Sequence, residues 1–277
     1  MAAGVLLRNG ARNLRNKVSS GFMYLTECWN PGVCSKKDSK KKVYFRLIEK
    51  QLAKTSDYIR AVGSPEYKNL KKSFLNTQLI PNGVESINTQ DKDWSAKKKS
   101  YLFMARLHHK KGVLPLIKAW KKSSLQNNDH YELLIAGPDD GELNQLKSEI
   151  NNCSNIRYLG AIYGKEKDAL LNKSHFYVLA SFSEGFPTSV LEGMQYGLIP
   201  LISEGCNFPE AFENKLGLEL SPNQDDILKT LEMSAKIEPD AAKEMGEKAQ
   251  SFVIENYSLE RIAEQQHEVY QALLKGL

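Results

Sequence analysis

Between residues 101 and 203, apolar runs of strand length alternate with segments whose apolar residues recur at helical spacing, and that rhythm leaves few folds open. Tyr101-Leu102-Phe103-Met104 reads as a strand and Gly112 to Trp120 as a helix. Glu132 to Ala136 reads as a strand closed by Gly137-Pro138, with a helix from Glu142 to Ile150. The pattern repeats as strand Ile156 to Leu159, helix Lys165 to Leu171, strand Phe176 to Ala180, helix Pro187 to Tyr196 and strand Ile199 to Ser203. Strands alternating with helices imply an α/β fold, a Rossmann-like doubly wound parallel sheet. Ligands of such sheets sit outside the carboxyl ends of the strands, where strand order reverses. The loops after Met104, Ala136, Leu159 and Ala180 are therefore where chemistry is expected.

The flanks are less regular. Gly4, Gly10, Gly21 and Gly32 interrupt any helical period, and the first 35 residues receive no assignment. Lys40 to Thr55 fits an amphipathic helix, Tyr58 to Val62 a short strand ending at Gly63, and Ser64-Pro65-Glu66 a helix start with Ser64 as N-cap and Pro65 at its first position. Leu79-Ile80 is closed by the turn Pro81-Asn82-Gly83. Glu85 to Lys99 is polar and aperiodic, as a linker would be, and Asp225 to Leu274 reads as helical, including Leu259 to Leu274. The expected organisation is a partial N-terminal α/β segment over 1–84, a linker over 85–99 and a Rossmann-like domain with C-terminal helices over 100–277.

No apolar run approaches the ~20 residues of a membrane helix, and Met1 to Leu7 is followed by arginines rather than a cleavage site, so a secretory signal is not expected. Cys28, Cys34, Cys153 and Cys206 match neither a disulfide framework nor a zinc site and read as reduced thiols of a cytoplasmic protein. The net charge of +5 is concentrated between Lys36 and Lys54, where eight basic residues face Asp38 and Glu49. Such a run is either a solvated helix face or a contact for an anionic membrane surface, which would make the protein peripheral at the inner face of the cytoplasmic membrane. No nucleic-acid module accompanies it.

The stretch Ser181-Phe182-Ser183-Glu184-Gly185-Phe186-Pro187-Thr188-Ser189-Val190-Leu191-Glu192-Gly193-Met194 follows a strand and opens a helix, with Pro187 at the first helical position. The amides of Thr188 and Ser189 are then unpaired donors at the positive end of a helix dipole, suited to a phosphate. Glu184 and Glu192 project toward the same strand-end crevice, and a carboxylate can accept two hydroxyl hydrogen bonds, as a ribose diol or a hexose edge presents. Two glutamates at this spacing are weak evidence alone, and could be ordinary surface charges. The full string, however, resembles the E-x7-E signature of glycosyltransferase family 4, S-x-x-E-G-F-P-x-x-x-L-E-A-M, with Gly193 standing where that family often has Ala.

Ala105-Arg106-Leu107-His108-His109-Lys110-Lys111-Gly112 is similar to the same family's G-R-L-x-x-x-K-G segment, with Ala105 replacing a Gly. Ile80-Pro81-Asn82-Gly83-Val84-Glu85 resembles its I-P-N-G-V-D turn, and Gly160-Ala161-Ile162-Tyr163 its base-bracketing loop, although Tyr163 could equally be a half-buried aromatic. His108 and His109 read as exposed loop residues. The resemblance runs from about Lys40 to Leu274 and is strong from Ile80 to Pro200.

It implies the C-terminal half of a GT-B fold and a retaining, hexosyltransferase-like enzyme. Such an enzyme uses a UDP- or GDP-linked sugar, a glycan or lipid-linked acceptor, no cofactor and no metal. Its setting would be surface polysaccharide or lipopolysaccharide synthesis. The roles implied are Glu184 at the sugar, Arg106 and Lys111 at the diphosphate, Glu192 at the ribose, and Gly185, Phe186, Pro187, Thr188, Ser189 and Tyr163 around the donor. A basic pair there neutralises the charge growing on the leaving group. The glycine-rich loop and mid-domain histidine of the family's N-terminal domain have no counterpart, the first histidine being His108. The expectation is thus a remnant of that domain, slow turnover alone, and self-association or a partner chain. The alternative is a catalytically silent nucleotide-sugar-binding subunit. A nicotinamide-dependent oxidoreductase fits poorly, since no G-x-G-x-x-G follows an expected strand.

Overall fold

The computed structural model describes Ala53, residues 55–87 and residues 92–275. The basic segment Lys36 to Lys54, the helix expected over Lys40 to Thr55, and Cys28 and Cys34 lie, but for Ala53 and Thr55, outside the described residues. Two compact units are present. Among the described residues, one joins those up to Gly83 with those from Leu259 onward; the other is Val84–Ser258. The final helix, read from sequence with the nucleotide domain, thus groups with the first unit, and the polar stretch from Glu85 belongs to the second.

The first unit contains β1 (Ile59–Ala61), α1 (Ser64–Lys71) and β2 (Thr77–Leu79), with β1 and β2 pairing in parallel. The cap of α1 is Gly63, one residue earlier than expected, and Pro65 sits in the first turn, where its missing N–H costs nothing. The Arg60 guanidinium donates to the carbonyls of Ile80 (2.7 Å) and Pro81 (2.6 Å), which fixes the Pro81-Asn82-Gly83 turn. The last helix, α9 (Leu259–Lys275), buries Ile262 with Tyr58 and Ile80, and Val269 and Leu273 pack against that cluster.

The second unit is a parallel sheet of six strands: β3 (Lys99–Met104), β4 (Tyr131–Ala136), β5 (Ile156–Tyr158), β6 (Phe176–Leu179), β7 (Ile199–Ser203) and β8 (Leu218–Leu220). Their order is β5-β4-β3-β6-β7-β8, every pairing parallel. The chain winds outward from β3 to β5, returns to place β6 on the other side of β3, and continues outward. The order therefore reverses between β3 and β6. The connecting helices are α2 (Val113–Trp120), α3 (Leu143–Ile150), α4 (Gly164–Lys173), α5 (Thr188–Gln195), the short α6 (Glu210–Glu213) and α7 (Gln224–Ala235), followed by α8 (Pro239–Tyr257). Helix α2 packs with α3 and α7, whereas α5 packs with α8, as right-handed crossovers running in opposite directions require.

The apolar spacing dictates these faces. Val113, Leu116, Ile117 and Trp120 recur at helical period on α2 and are fully buried, while Lys118 between them is exposed. In the sheet, Tyr101 of β3 stacks on Phe176 of β6 with ring centroids 4.5 Å apart. Burial on both faces explains why Leu102, Phe103, Leu133, Leu134, Val178 and Leu201 form continuous apolar runs rather than alternating ones. The strand β8 is not legible in Leu218-Glu219-Leu220, three residues at the sheet edge that among the described residues pair with β7 alone.

Candidate active site

The two segments singled out in the sequence are the loops that leave β3 and β6, on either side of the switch point. Their approach depends on Gly112. It takes φ +72°, and a Cβ there would stand 2.1 Å from the Ala180 carbonyl oxygen, so no other residue lets the β3 loop close on the end of β6. The Phe182 amide then donates to the Lys110 carbonyl at 2.7 Å, and the Ser181 hydroxyl to the same oxygen at 2.9 Å. Ala105, standing where a Gly was expected, is not among the described residues with positive φ, so the backbone there tolerates a side chain.

This places Lys111 against Glu184, Nζ to Oε2 at 2.5 Å, with side chains only 16% and 11% exposed. The second carboxylate oxygen, Glu184 Oε1, is buried without a partner. The Glu184 backbone is held on both sides, its amide donating to Gly205 O at 2.8 Å and its carbonyl accepting from the Asn207 side chain. Asn207 takes a left-handed φ of 56°, tolerable for Asn, and sequence reasoning missed it because it lies beyond the motif.

Glu192 lies on α5 and receives an ion pair from Lys167 of α4 at 3.1 Å. Arg106 is exposed and paired with Asp140, in the loop after β4, at 2.5 Å. The structure thus brings Lys111 and Glu184 together and gives Arg106 and Glu192 partners that the sequence did not suggest. Asp140 and Lys167 carry no local signal, since each is separated from its partner by more than twenty residues.

The helix start differs from the expectation. Pro187 caps α5 from outside, and Thr188 is its first residue. The Thr188 amide is not an unpaired donor, because it bonds the Phe186 carbonyl at 3.0 Å; among the described residues no backbone carbonyl pairs with the Ser189 amide. Behind it lies Tyr177, fully buried, whose hydroxyl donates to Met104 O at 2.7 Å and shares a hydrogen bond with the Ser189 side chain. Burial pushes that phenol well above its ordinary range, so it remains a neutral tie between β6, β3 and α5. The same ring fills the space a Cβ at Gly193 would take, 2.6 Å from Tyr177 Cδ2. A bulky aromatic under the helix accounts for glycine where alanine was expected.

Around the rim, Gly185 is exposed with open space where a Cβ would stand, Phe186 lies 6.0 Å from the Tyr257 ring, and Tyr163 is 71% exposed at the start of α4, not half-buried. His109 is exposed as expected. His108 is not: it is half-buried, and its Nδ1 accepts from the Lys110 amide at 3.2 Å, capping the short turn His109–Lys111.

Comparison with known proteins shows the family and the fold. Residues 85–252 match the family model described as glycosyl transferases group 1. The O-antigen biosynthesis glycosyltransferase WbnH of Escherichia coli is 27% identical over 251 residues, covering 90% of this chain and 70% of that protein. The GalNAc-alpha-(1->4)-GalNAc-alpha-(1->3)-diNAcBac-PP-undecaprenol alpha-1,4-N-acetyl-D-galactosaminyltransferase of Campylobacter jejuni is 25% identical over 175 residues, covering 62% of this chain and 46% of that one. The fold is shared with HepE of Anabaena, solved in complex with UDP and glucose, at a TM-score of 0.71 and 16% identity over 83% of this chain and 67% of that one. With the family model covering well over half its length, the chain belongs to the group 1 glycosyl transferases.

Proposed function

We propose that the protein moves a hexose-type sugar from a UDP- or GDP-linked donor to a hydroxyl of a glycan or lipid-linked acceptor, with retention at the anomeric carbon, in the synthesis of a surface polysaccharide or lipopolysaccharide. The observation that carries this reading is the Lys111–Glu184 pair at the switch point, with a carboxylate oxygen left unpartnered beside it. Glu184 takes a sugar hydroxyl on that oxygen, and Lys111 faces the diphosphate beyond. Arg106 joins it there, the Ser189 amide adds a donor at the positive end of α5, and Glu192 accepts from the ribose diol.

In the reaction, the bond from the anomeric carbon to the diphosphate oxygen breaks and a bond to the acceptor oxygen forms, while negative charge grows on the departing diphosphate. Lys111, Arg106 and the helix terminus neutralise that charge, so the reading requires no divalent ion. The names of the Escherichia coli and Campylobacter jejuni relatives support an acceptor of O-antigen or undecaprenol-linked type, and the Anabaena complex supports a UDP-sugar donor. The basic run from Lys36 to Lys54 suits a site at the cytoplasmic face of a membrane carrying such an acceptor.

The test is transfer of labelled hexose from UDP- and GDP-sugars to polyprenyl-diphosphate-linked glycans, with EDTA present, followed by proton NMR of the new glycosidic bond. Transfer with the donor's anomeric configuration supports the reading. An inverted product overturns retention, and strict dependence on a divalent ion overturns the charge assignment. Donor binding without transfer to any acceptor identifies a binding subunit instead.

A further inference from the structure

Three cations and three carboxylates meet in pairs around the switch point: Arg106 with Asp140 at 2.5 Å, Lys111 with Glu184 at 2.5 Å, and Lys167 with Glu192 at 3.1 Å. Each of these three cations already faces a carboxylate, so an arriving nucleoside diphosphate competes with a resident anion at each of them. Where a pair opens, the diphosphate gains the whole charge of that cation; a cation that stays paired is shared between its carboxylate and the phosphate oxygens.

The three pairs are not equally ready to do so. On the proposed reading, Glu184 and Glu192 stay in place to accept sugar and ribose hydroxyls. Lys111 and Glu184 are also 16% and 11% exposed, and opening them strands a buried carboxylate. Arg106 and Asp140 are 56% and 37% exposed, a degree of hydration at which an ion pair is nearly neutral in free energy and exchanges partners readily. Asp140 has no hydroxyl to read. It is nevertheless placed with care, because the loops after β3 and β4 are zipped together. The Leu107 amide donates to Pro138 O at 2.9 Å, and the amides of Asp140 and Glu142 both donate to Leu107 O at 3.2 Å. Asp139 Oδ1 accepts from the amides of Gly141 (2.9 Å) and Leu143 (3.1 Å), which fixes the turn that carries Asp140. The backbone, not chance rotamers, brings the two side chains together.

We propose that Asp140 is a positioning residue that holds Arg106 in reserve, an internal anion that competes with the donor's diphosphate for the guanidinium and so sets how tightly nucleotide is held. When the diphosphate arrives, Arg106 exchanges the carboxylate for phosphate oxygens, and Asp140 turns to solvent. Removing Asp140 releases Arg106 permanently and raises affinity, the opposite of what loss of a structural contact does. The proposal rests on the nucleotide-binding reading above.

The experiment is calorimetric titration of UDP and GDP, in EDTA, into the full chain and into Asp140→Asn, Asp140→Glu, Arg106→Ala and the double variant Arg106→Ala/Asp140→Asn. Asp140→Asn is expected to bind the preferred nucleotide about two- to fivefold tighter, an advantage that fades as salt rises from about 50 mM to about 0.5 M. Asp140→Glu, which keeps the charge, stays near the unsubstituted affinity. Arg106→Ala costs more affinity in the Asp140→Asn background than alone. Unchanged or weaker binding by Asp140→Asn, or equal losses from Arg106→Ala in both backgrounds, overturns the proposal while leaving the nucleotide site intact. Absence of binding to either nucleotide in every variant overturns the nucleotide reading and this proposal with it.

Discussion

Replacing Lys111 by Ala takes the cation from Oε2 of the Glu184 carboxylate, which is 11% exposed in the intact pair and whose Oε1 already lacks a partner. At 2.5 Å the pair attracts by about 7 kcal/mol at an effective dielectric of ~20. That attraction is largely offset by the cost of drying two charges, so the intact pair adds little net stability. The variant loses the attraction and keeps the cost of the carboxylate. Breaking such pairs typically costs ~3–5 kcal/mol, and the crevice is open enough to water that the lower end, about 3 kcal/mol, is expected here. Urea unfolding at neutral pH measures it. The double variant Lys111→Met/Glu184→Gln, which removes both charges at similar volume, should recover most of the loss. A single-variant cost below about 1 kcal/mol, or a double variant no more stable than the single one, would refute the claim that Lys111 compensates a largely buried carboxylate.

Three further outcomes are expected. Gly193→Ala places a Cβ 2.6 Å from a fully buried Tyr177 ring whose hydroxyl is fixed on Met104 O. Overpacking of ~1–3 kcal/mol should exceed the ~1 kcal/mol gain in helix propensity, and an unchanged urea midpoint would show that the ring yields. Burial lowers His175 from 6.5 to about 4, and its ring accepts from the Ser100 amide at Nδ1 (3.2 Å) while Nε2 contacts Asp93 O (3.1 Å), so only the neutral ring fits. Because the folded value lies below the unfolded one, this contribution is complete above pH ~6.5 and is lost as pH falls toward 4, by at most about 3 kcal/mol. His175→Asn should flatten the stability curve in that window, and parallel curves for the two proteins would contradict the assignment. The basic run from Lys36 to Lys54 should bind anionic vesicles at low salt, each basic residue adding about 1 kcal/mol at most, and cosedimentation absent at low salt would reject a membrane role.

Much of the second unit was legible because its signals are local. Strands buried on both faces leave continuous apolar runs, α2 shows a clean helical stripe, and the loops after β3 and β6 carry residues whose types name their task. The site's electrostatics were not legible, for a physical reason. Arg106 meets Asp140, and Lys167 meets Glu192, across different crossover units, and nothing in the one-dimensional pattern fixes which charges the winding brings together. Likewise the absence of a side chain at Gly193 makes sense only beside Tyr177, sixteen positions earlier on another element. The α5 terminus was nearly right, but the Phe186 carbonyl consumes the Thr188 amide, a detail of turn geometry that residue types do not encode. Helix α9 reads as one more amphipathic helix in sequence, and only its contacts with Tyr58 and Ile80 assign it to the first unit.

The central claim is that the crevice between the ends of β3 and β6 is a nucleoside-diphosphate site whose ribose is read by Glu192. Titration of UDP and GDP into the protein and into Glu192→Ala, both in EDTA, tests it most directly. Saturable binding of at least one of the two nucleotides without metal is expected, with a loss of ~1.5–3 kcal/mol in Glu192→Ala, the range for charge-assisted hydrogen bonds. Binding that vanishes with EDTA, or that is indifferent to Glu192→Ala, would contradict it.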